Sequence, residues 1–123
     1  MTNSYCLMTV GTNRRNLELL ETRLGNEGYK VISAASLAEF DAALAAGGDI
    51  GLALVDIGGF DHGIWERCQR LRDLDIPLIV ISPRQSASIS QTSLTSGANA
   101  VLVKPLGVAE LLAMVHSLVT PPQ

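Results

Sequence analysis

The chain has 123 residues, of which 47% are hydrophobic and 17% charged, with a mean hydropathy of +0.28. That is room for a single domain with a core stable without disulfides or a structural metal, and it excludes a multidomain enzyme and a disordered segment. Nine basic residues against 12 acidic ones give a net charge of −3, so there is no cationic footprint for nucleic acid or an anionic membrane.

The N-terminus lacks a basic segment followed by an apolar run, and no stretch approaches the length of a membrane span. Cys6 and Cys68 are far apart and fit neither a disulfide framework nor a Cys-x-x-Cys site. They read as buried or half-buried thiols of a cytoplasmic protein.

In chain order, short runs rich in Val, Ile and Leu alternate with amphipathic stretches. The first run, Tyr5 to Val10, is a predicted strand. It is followed by a helix over Arg14 to Leu24, with Leu17, Leu20 and Leu24 on one stripe and Gly25 as its stop. Tyr29 to Ala34 is the second strand. The next helix begins at the capping-box pair Ser36 and Glu39, passes through Phe40 and Leu44, and stops at Gly47-Gly48.

Ile50 to Val55 is the third strand, and Gly63 to Leu74 a helix with Ile64, Cys68 and Leu71 inward. Trp65 in that helix is expected in the partial core. Pro77 to Ile81 is the fourth strand. The stretch from Arg84 to Asn99 is crowded with hydroxyls, which compete for the backbone, so a fourth helix there is expected to be short or easily frayed. Ala100 to Val103 is the fifth strand, and Val108 to Val119 a helix whose apolar face is Val108, Leu111, Leu112, Val115 and Leu118. The expected domain is 1–123, with residues 120–123 as a tail or the start of a linker.

Five strand–helix units of this kind argue for a parallel sheet with helices on both faces, a three-layer α/β sandwich. Ligands of such folds bind at the carboxyl ends of the strands. There the third strand ends at Asp56, the fourth at Ser82 and the fifth at Lys104-Pro105, so an acid, a hydroxyl and an amine converge on one rim.

These residues, together with Glu27-Gly28-Tyr29, Gly97-Ala98-Asn99 and Val103-Lys104-Pro105, give a sequence that resembles the receiver domains of two-component response regulators over its whole length. The resemblance implies a flavodoxin-like (βα)5 fold with strand order 2-1-3-4-5. It puts Asp56 at the phosphoacceptor position, Ser82 at the phosphoryl-contacting hydroxyl, Lys104 where an ammonium bridges aspartate and phosphoryl oxygens, and a cis peptide before Pro105. Charge spread over a transferring phosphoryl group is met by fixed donors and cations, which makes sense of those residue types.

The sequence also departs from the family. Receivers hold magnesium with an acidic pair after the first strand, and that pair falls here on Gly11 and Thr12; no Asp or Glu precedes Glu18. Only Asp56 and the Gly58 backbone carbonyl remain as ligands, so no cofactor, or at most weakly bound Mg2+, is expected. Pro83 follows Ser82, and Val101 stands where receivers carry a signal-reporting aromatic. Asp56 and Lys104 are expected to form an ion pair, with Arg14 and Arg15 solvated.

The implied function is that of an atypical receiver in phosphorelay signalling, a non-enzymatic interaction module with impaired phosphorylation at Asp56. Its expected partners are a histidine kinase or an output domain, with a homodimer across the fourth helix, fifth strand and fifth helix. No contact with nucleic acid or membrane is expected. The alternatives are a functional phosphoacceptor, or a flavodoxin-like binder of a small ligand or nucleotide.

Overall fold

The computed structural model describes residues 5–46 and 49–119. In chain order the elements are β1 (Cys6–Val10), α1 (Arg14–Asn26), β2 (Lys30–Ala34), α2 (Leu37–Ala45), β3 (Ile50–Asp56), α3 (Gly63–Asp73), β4 (Leu78–Ser82), α4 (Ala87–Thr95), β5 (Ala100–Val103) and α5 (Val108–Val119). All strand pairings are parallel and the order is β2-β1-β3-β4-β5, the flavodoxin-like order of the sequence expectation. Strand parity sorts the core into two layers. Met8, Val10, Phe40, Val55, Ile64, Cys68, Leu71 and Val80 fill the side covered by α2, α3 and α4. Leu7, Leu24, Leu52, Leu54, Ile79, Ile81, Leu102, Leu111, Val115 and Val119 fill the side covered by α1 and α5.

One irregularity adjusts this parity. The β1–β3 register shifts between Cys6 and Leu7, which face Ile50 and Leu52, so Gly51 is the extra residue of a bulge. Ile50 thereby joins the α2–α4 layer although Leu52 belongs to the other.

Helix ends account for most differences from the sequence expectation. The stop predicted at Gly25 is wrong by two residues, since α1 continues to Asn26 and ends in a Schellman turn. Gly28 supplies its left-handed residue at φ +95°, with hydrogen bonds from Tyr29 N to Leu24 O and from Gly28 N to Gly25 O. At the start of α1, Asn13 Oδ1 accepts from Asn16 N. α4 is short, as expected, at nine residues, and it is capped at its start. Ser86 Oγ accepts from Ile89 N at its start, and the buried Ser93 returns its hydroxyl to Ile89 O, so two of the hydroxyls that compete for the backbone are spent on helix-compatible bonds.

Ser36 caps α2 as expected, but Glu39 reaches back to the amide of Ala35 rather than that of Ser36. On α5 the inward residues are Leu111, Val115 and Val119, whereas Val108, assigned to the apolar face, is 44% exposed. Between α2 and α3, Asp41 accepts from Arg67 at 2.7 Å and Arg70 at 3.0 Å. Those guanidiniums hold the Asp41 carboxyl below its usual range, chiefly through the Arg67 hydrogen bond. The predicted Gly47-Gly48 stop and the tail at residues 120–123 lie outside the described residues.

Candidate functional site

Asp56 closes β3 on the same sheet face as Leu54, and Lys104 follows β5 two positions after Leu102 of that face. Parallel pairing of β3 with β4 and β4 with β5 therefore brings both residues to the carboxyl rim. There Lys104 Nζ lies 2.6 Å from Asp56 Oδ2, with the two side chains 38% and 18% exposed. The other carboxylate oxygen, Oδ1, accepts the Gly58 amide at 3.1 Å. The Lys104–Pro105 peptide bond is cis.

Ser82 ends β4 and is buried, but its hydroxyl is engaged locally, donating to the Arg84 carbonyl at 2.5 Å. Pro83 sits between the two bonded residues and is exposed. Val101 packs, partly buried, on the α2–α4 layer along with Ile89 of α4.

The β1–α1 connection carries a contact that sequence reasoning missed. Thr12, one of the two residues onto which the resemblance places an acidic pair, donates its hydroxyl to the Gly58 carbonyl at 2.9 Å. Its Oγ1 packs so closely against Gly59 that a Cβ there would lie 2.6 Å away, and Gly59 has φ +85°. Glycine is required at that position for both reasons. Gly11 is buried beside Asp56, with ordinary contact space for a Cβ at 3.5 Å from the Asp56 Cβ. Arg14 turns to Glu39 at 2.5 Å, and neither it nor Arg15 pairs with Asp56.

The chemistry of this donor set fits a divalent cation poorly. Magnesium dehydrates reluctantly and is ordinarily held by one or two carboxylates together with phosphate. Here the single carboxylate is matched by an ammonium, and the Gly58 carbonyl already accepts the Thr12 hydroxyl. Among the described residues no group of three His, Cys, Asp or Glu side chains lies together as a metal would need.

A cleft of about 850 Å³ opens from this rim along α1 toward the start of α5, with Asp56 and Lys104 in its wall. Leu19 of α1, outside the predicted Leu17–Leu20–Leu24 stripe, borders it and is 60% exposed. That fourth leucine was the signal available in the sequence. No described helix is long and apolar enough to cross a membrane.

No family model matches the chain. It is 35% identical over 114 residues to the transcriptional regulatory protein HprR of Escherichia coli (strain K12), a match covering 90% of this chain and 50% of that protein. The chain thus spans about half the length of the curated relative it matches. Among solved structures, it is 26% identical to a CheY-like response regulator receiver domain protein from Methanospirillum hungatei JF-1, at TM-score 0.83 with 94% of this chain and 93% of that one covered. A response regulator from Thermotoga maritima shares the fold at 21% identity, with TM-score 0.84 and 97% and 100% of the two chains covered. Strand order, rim residues and these similarities agree: the chain has the fold of CheY-like response-regulator receiver domains and is similar to such proteins in sequence.

Proposed function

We propose that this receiver acts in two-component signalling as a protein-interaction module whose magnesium-dependent phosphorylation at Asp56 is impaired. One observation carries the reading: the groups that would serve a cation and a phosphoryl transfer are partnered within the protein. Lys104 and the Gly58 amide hold the two oxygens of Asp56, and Thr12 holds the Gly58 carbonyl. A carboxylate neutralised by an adjacent ammonium offers little net charge to a hard dication.

In this reading the module is not an enzyme and works in the cytoplasm. Its signalling partners are a histidine kinase or an output domain, and copies of the chain associate across α4, β5 and α5. The contact there runs through α4, where Leu94 is 55% exposed, because the apolar residues Leu111, Val115 and Val119 of α5 face the core. The relative's name, a transcriptional regulatory protein, is in keeping with an output of that class.

A second reading, a working phosphoacceptor, is favoured by the 2.6 Å approach of Lys104 to Asp56. In that reading Asp56 accepts the phosphoryl group, Ser82 contacts it, and Lys104 meets its developing charge. The discriminating experiment titrates Mg2+ into the protein while following backbone amide NMR, then adds beryllofluoride or acetyl phosphate and looks for the acyl phosphate by mass spectrometry. We expect no saturable shift around Asp56–Gly58 and no modification. Saturable magnesium binding followed by modification of Asp56 would establish the second reading instead.

A further inference from the structure

Between Asp56 and α3 the chain passes through two adjacent glycines, Gly58 and Gly59. They form the centre of a turn closed by a hydrogen bond from Phe60 N to Ile57 O at 3.2 Å. Gly59 lies in the left-handed region at φ +85° and Gly58 outside it, the combination that defines a type II turn. Type I and type II turns share their ends and differ by a rotation of the central peptide through about 180°, here the peptide joining Gly58 to Gly59. A side chain at the third place of the turn disfavours type II, whereas glycine admits both positions.

Three contacts hold the position observed. The Asp56 carboxylate accepts the Gly58 amide at 3.1 Å, closing a small turn of its own, and Phe60 N ties the far end. The central peptide itself is held from outside the turn, its carbonyl accepting the Thr12 hydroxyl at 2.9 Å. Thr12 also lies over Gly59, where a Cβ would stand 2.6 Å from its Oγ1 and 3.2 Å from its Cγ2. Gly11, next to Thr12, is beside Asp56, so the Gly58 carbonyl is turned toward the part of the rim that carries the carboxylate. Rotation of the peptide would put the Gly59 N–H in place of that carbonyl. A carbonyl suits a cation, and a backbone amide suits an oxyanion.

We propose that Thr12 is the latch of a two-position peptide, and that its hydroxyl decides whether the rim beside Asp56 presents the Gly58 carbonyl or the Gly59 amide. The inference deepens the reading of Asp56 as impaired and rests on it, because a rim closed by its own residues needs a group that keeps it closed. The two fail separately. Magnesium binding and acyl-phosphate formation report on Asp56, whereas the orientation of one N–H reports on the latch.

The test uses the whole chain without added ligand. It follows the residual dipolar coupling of the Gly59 N–H, relaxation dispersion over residues 58–60, and hydrogen exchange of the Gly58 and Phe60 amides. The parent should show one N–H orientation and no dispersion. Thr12→Val keeps the bulk over Gly59 and deletes the donor, and should bring in the second orientation with dispersion on the microsecond-to-millisecond scale. Exchange of the Gly58 amide should rise about threefold, the low end for one hydrogen bond because Thr12 is exposed and water competes. Thr12→Ser, which keeps the donor, should behave as the parent. Gly59→Ala reaches the same peptide by another route, since both the left-handed φ and the Thr12 hydroxyl oppose a Cβ. Its N–H should take the second orientation, with Thr12→Val adding nothing further. The proposal is overturned if the parent already averages two orientations, if Thr12→Val leaves the turn unchanged, or if Thr12→Ser moves it as much. A Gly59→Ala protein that keeps the parent orientation overturns it equally.

Discussion

At the scale of single residues, Asp56 is held by a short contact to Lys104 on one oxygen and by the Gly58 amide on the other. Thr12 links the β1–α1 connection to Gly58 through a hydroxyl. Carboxylates introduced beside Asp56 should create a cation site. In Gly11→Asp/Thr12→Asp, the new Cβ at residue 11 meets only ordinary contacts, and the Gly58 carbonyl loses its hydroxyl donor. Three carboxylates then crowd one rim, so the metal-free variant should be about 1–2 kcal/mol less stable than the parent. Magnesium should recover that loss in a thermal melt and leave the parent melt unchanged.

Cys68 gives a second expectation at this scale. It is fully buried, and desolvation pushes its thiol up to about 12 from 9.0. A thiol reagent should therefore leave Cys68 unlabelled in the native protein and label it in urea, as read by mass spectrometry. Between pH 9 and 12 the unfolded thiol has lost its proton while the folded one keeps it, so the unfolded state binds fewer protons. Stability should fall as pH rises through that window, and Cys68→Ala should remove this component of the fall.

At the scale of elements, three helices end in the same hydrogen-bonded turn. α1 closes with Gly28, α4 with Gly97 at φ +108°, and α3 with Asp75 at φ +59°. Asp75 N donates to Arg72 O, and Ile76 N donates to Leu71 O, the pair of bonds that defines the turn. A left-handed conformation costs an L residue about 1 kcal/mol or more, while glycine adopts it freely. Asp75→Gly should accordingly stabilise the protein by about 0.5–1 kcal/mol, raising the urea midpoint without changing the slope. A shallower slope or a lower midpoint would show that the Asp75 side chain contributes more than its backbone costs. At the β4 entry, Asn99 supplies both partners of Leu78, accepting from its amide through Oδ1 and donating its own amide to the Leu78 carbonyl. The edge strand β5 is thus tied to the start of β4 before the ladder begins.

At the scale of the whole molecule, two core layers flank one five-stranded sheet, and Phe40 is the largest side chain buried completely. It belongs to α2 and packs in the layer containing Ile64, Cys68 and Leu71 of α3, so it joins two helices to the sheet. Phe40→Ala should cost about 3–5 kcal/mol through lost transfer energy and an unfilled cavity. Against a typical total of about 5–15 kcal/mol, that loss should show as a large drop in the thermal midpoint. The opposite layer should respond less, which hydrogen exchange of α5 would register.

Much of this was legible in the sequence because it depends on local periodicity. The five apolar runs, the amphipathic stripe of α1 and the Ser36 cap follow from spacing alone, and so does the position of Asp56, Ser82 and Lys104 at strand ends. The absence of acids before Glu18 is equally a property of the sequence. Other features depend on residues distant in the chain meeting in space. The Thr12–Gly58 bond spans 46 positions, and Arg14 chooses Glu39 over Asp56 by the placement of β2 and α2. The cleft beside Leu19 exists only because α1 and the start of α5 flank the same rim. Periodicity decides which face of an element is buried; the crossing of parallel strands decides which side chains share the rim, and that is where the chemistry of this protein is set.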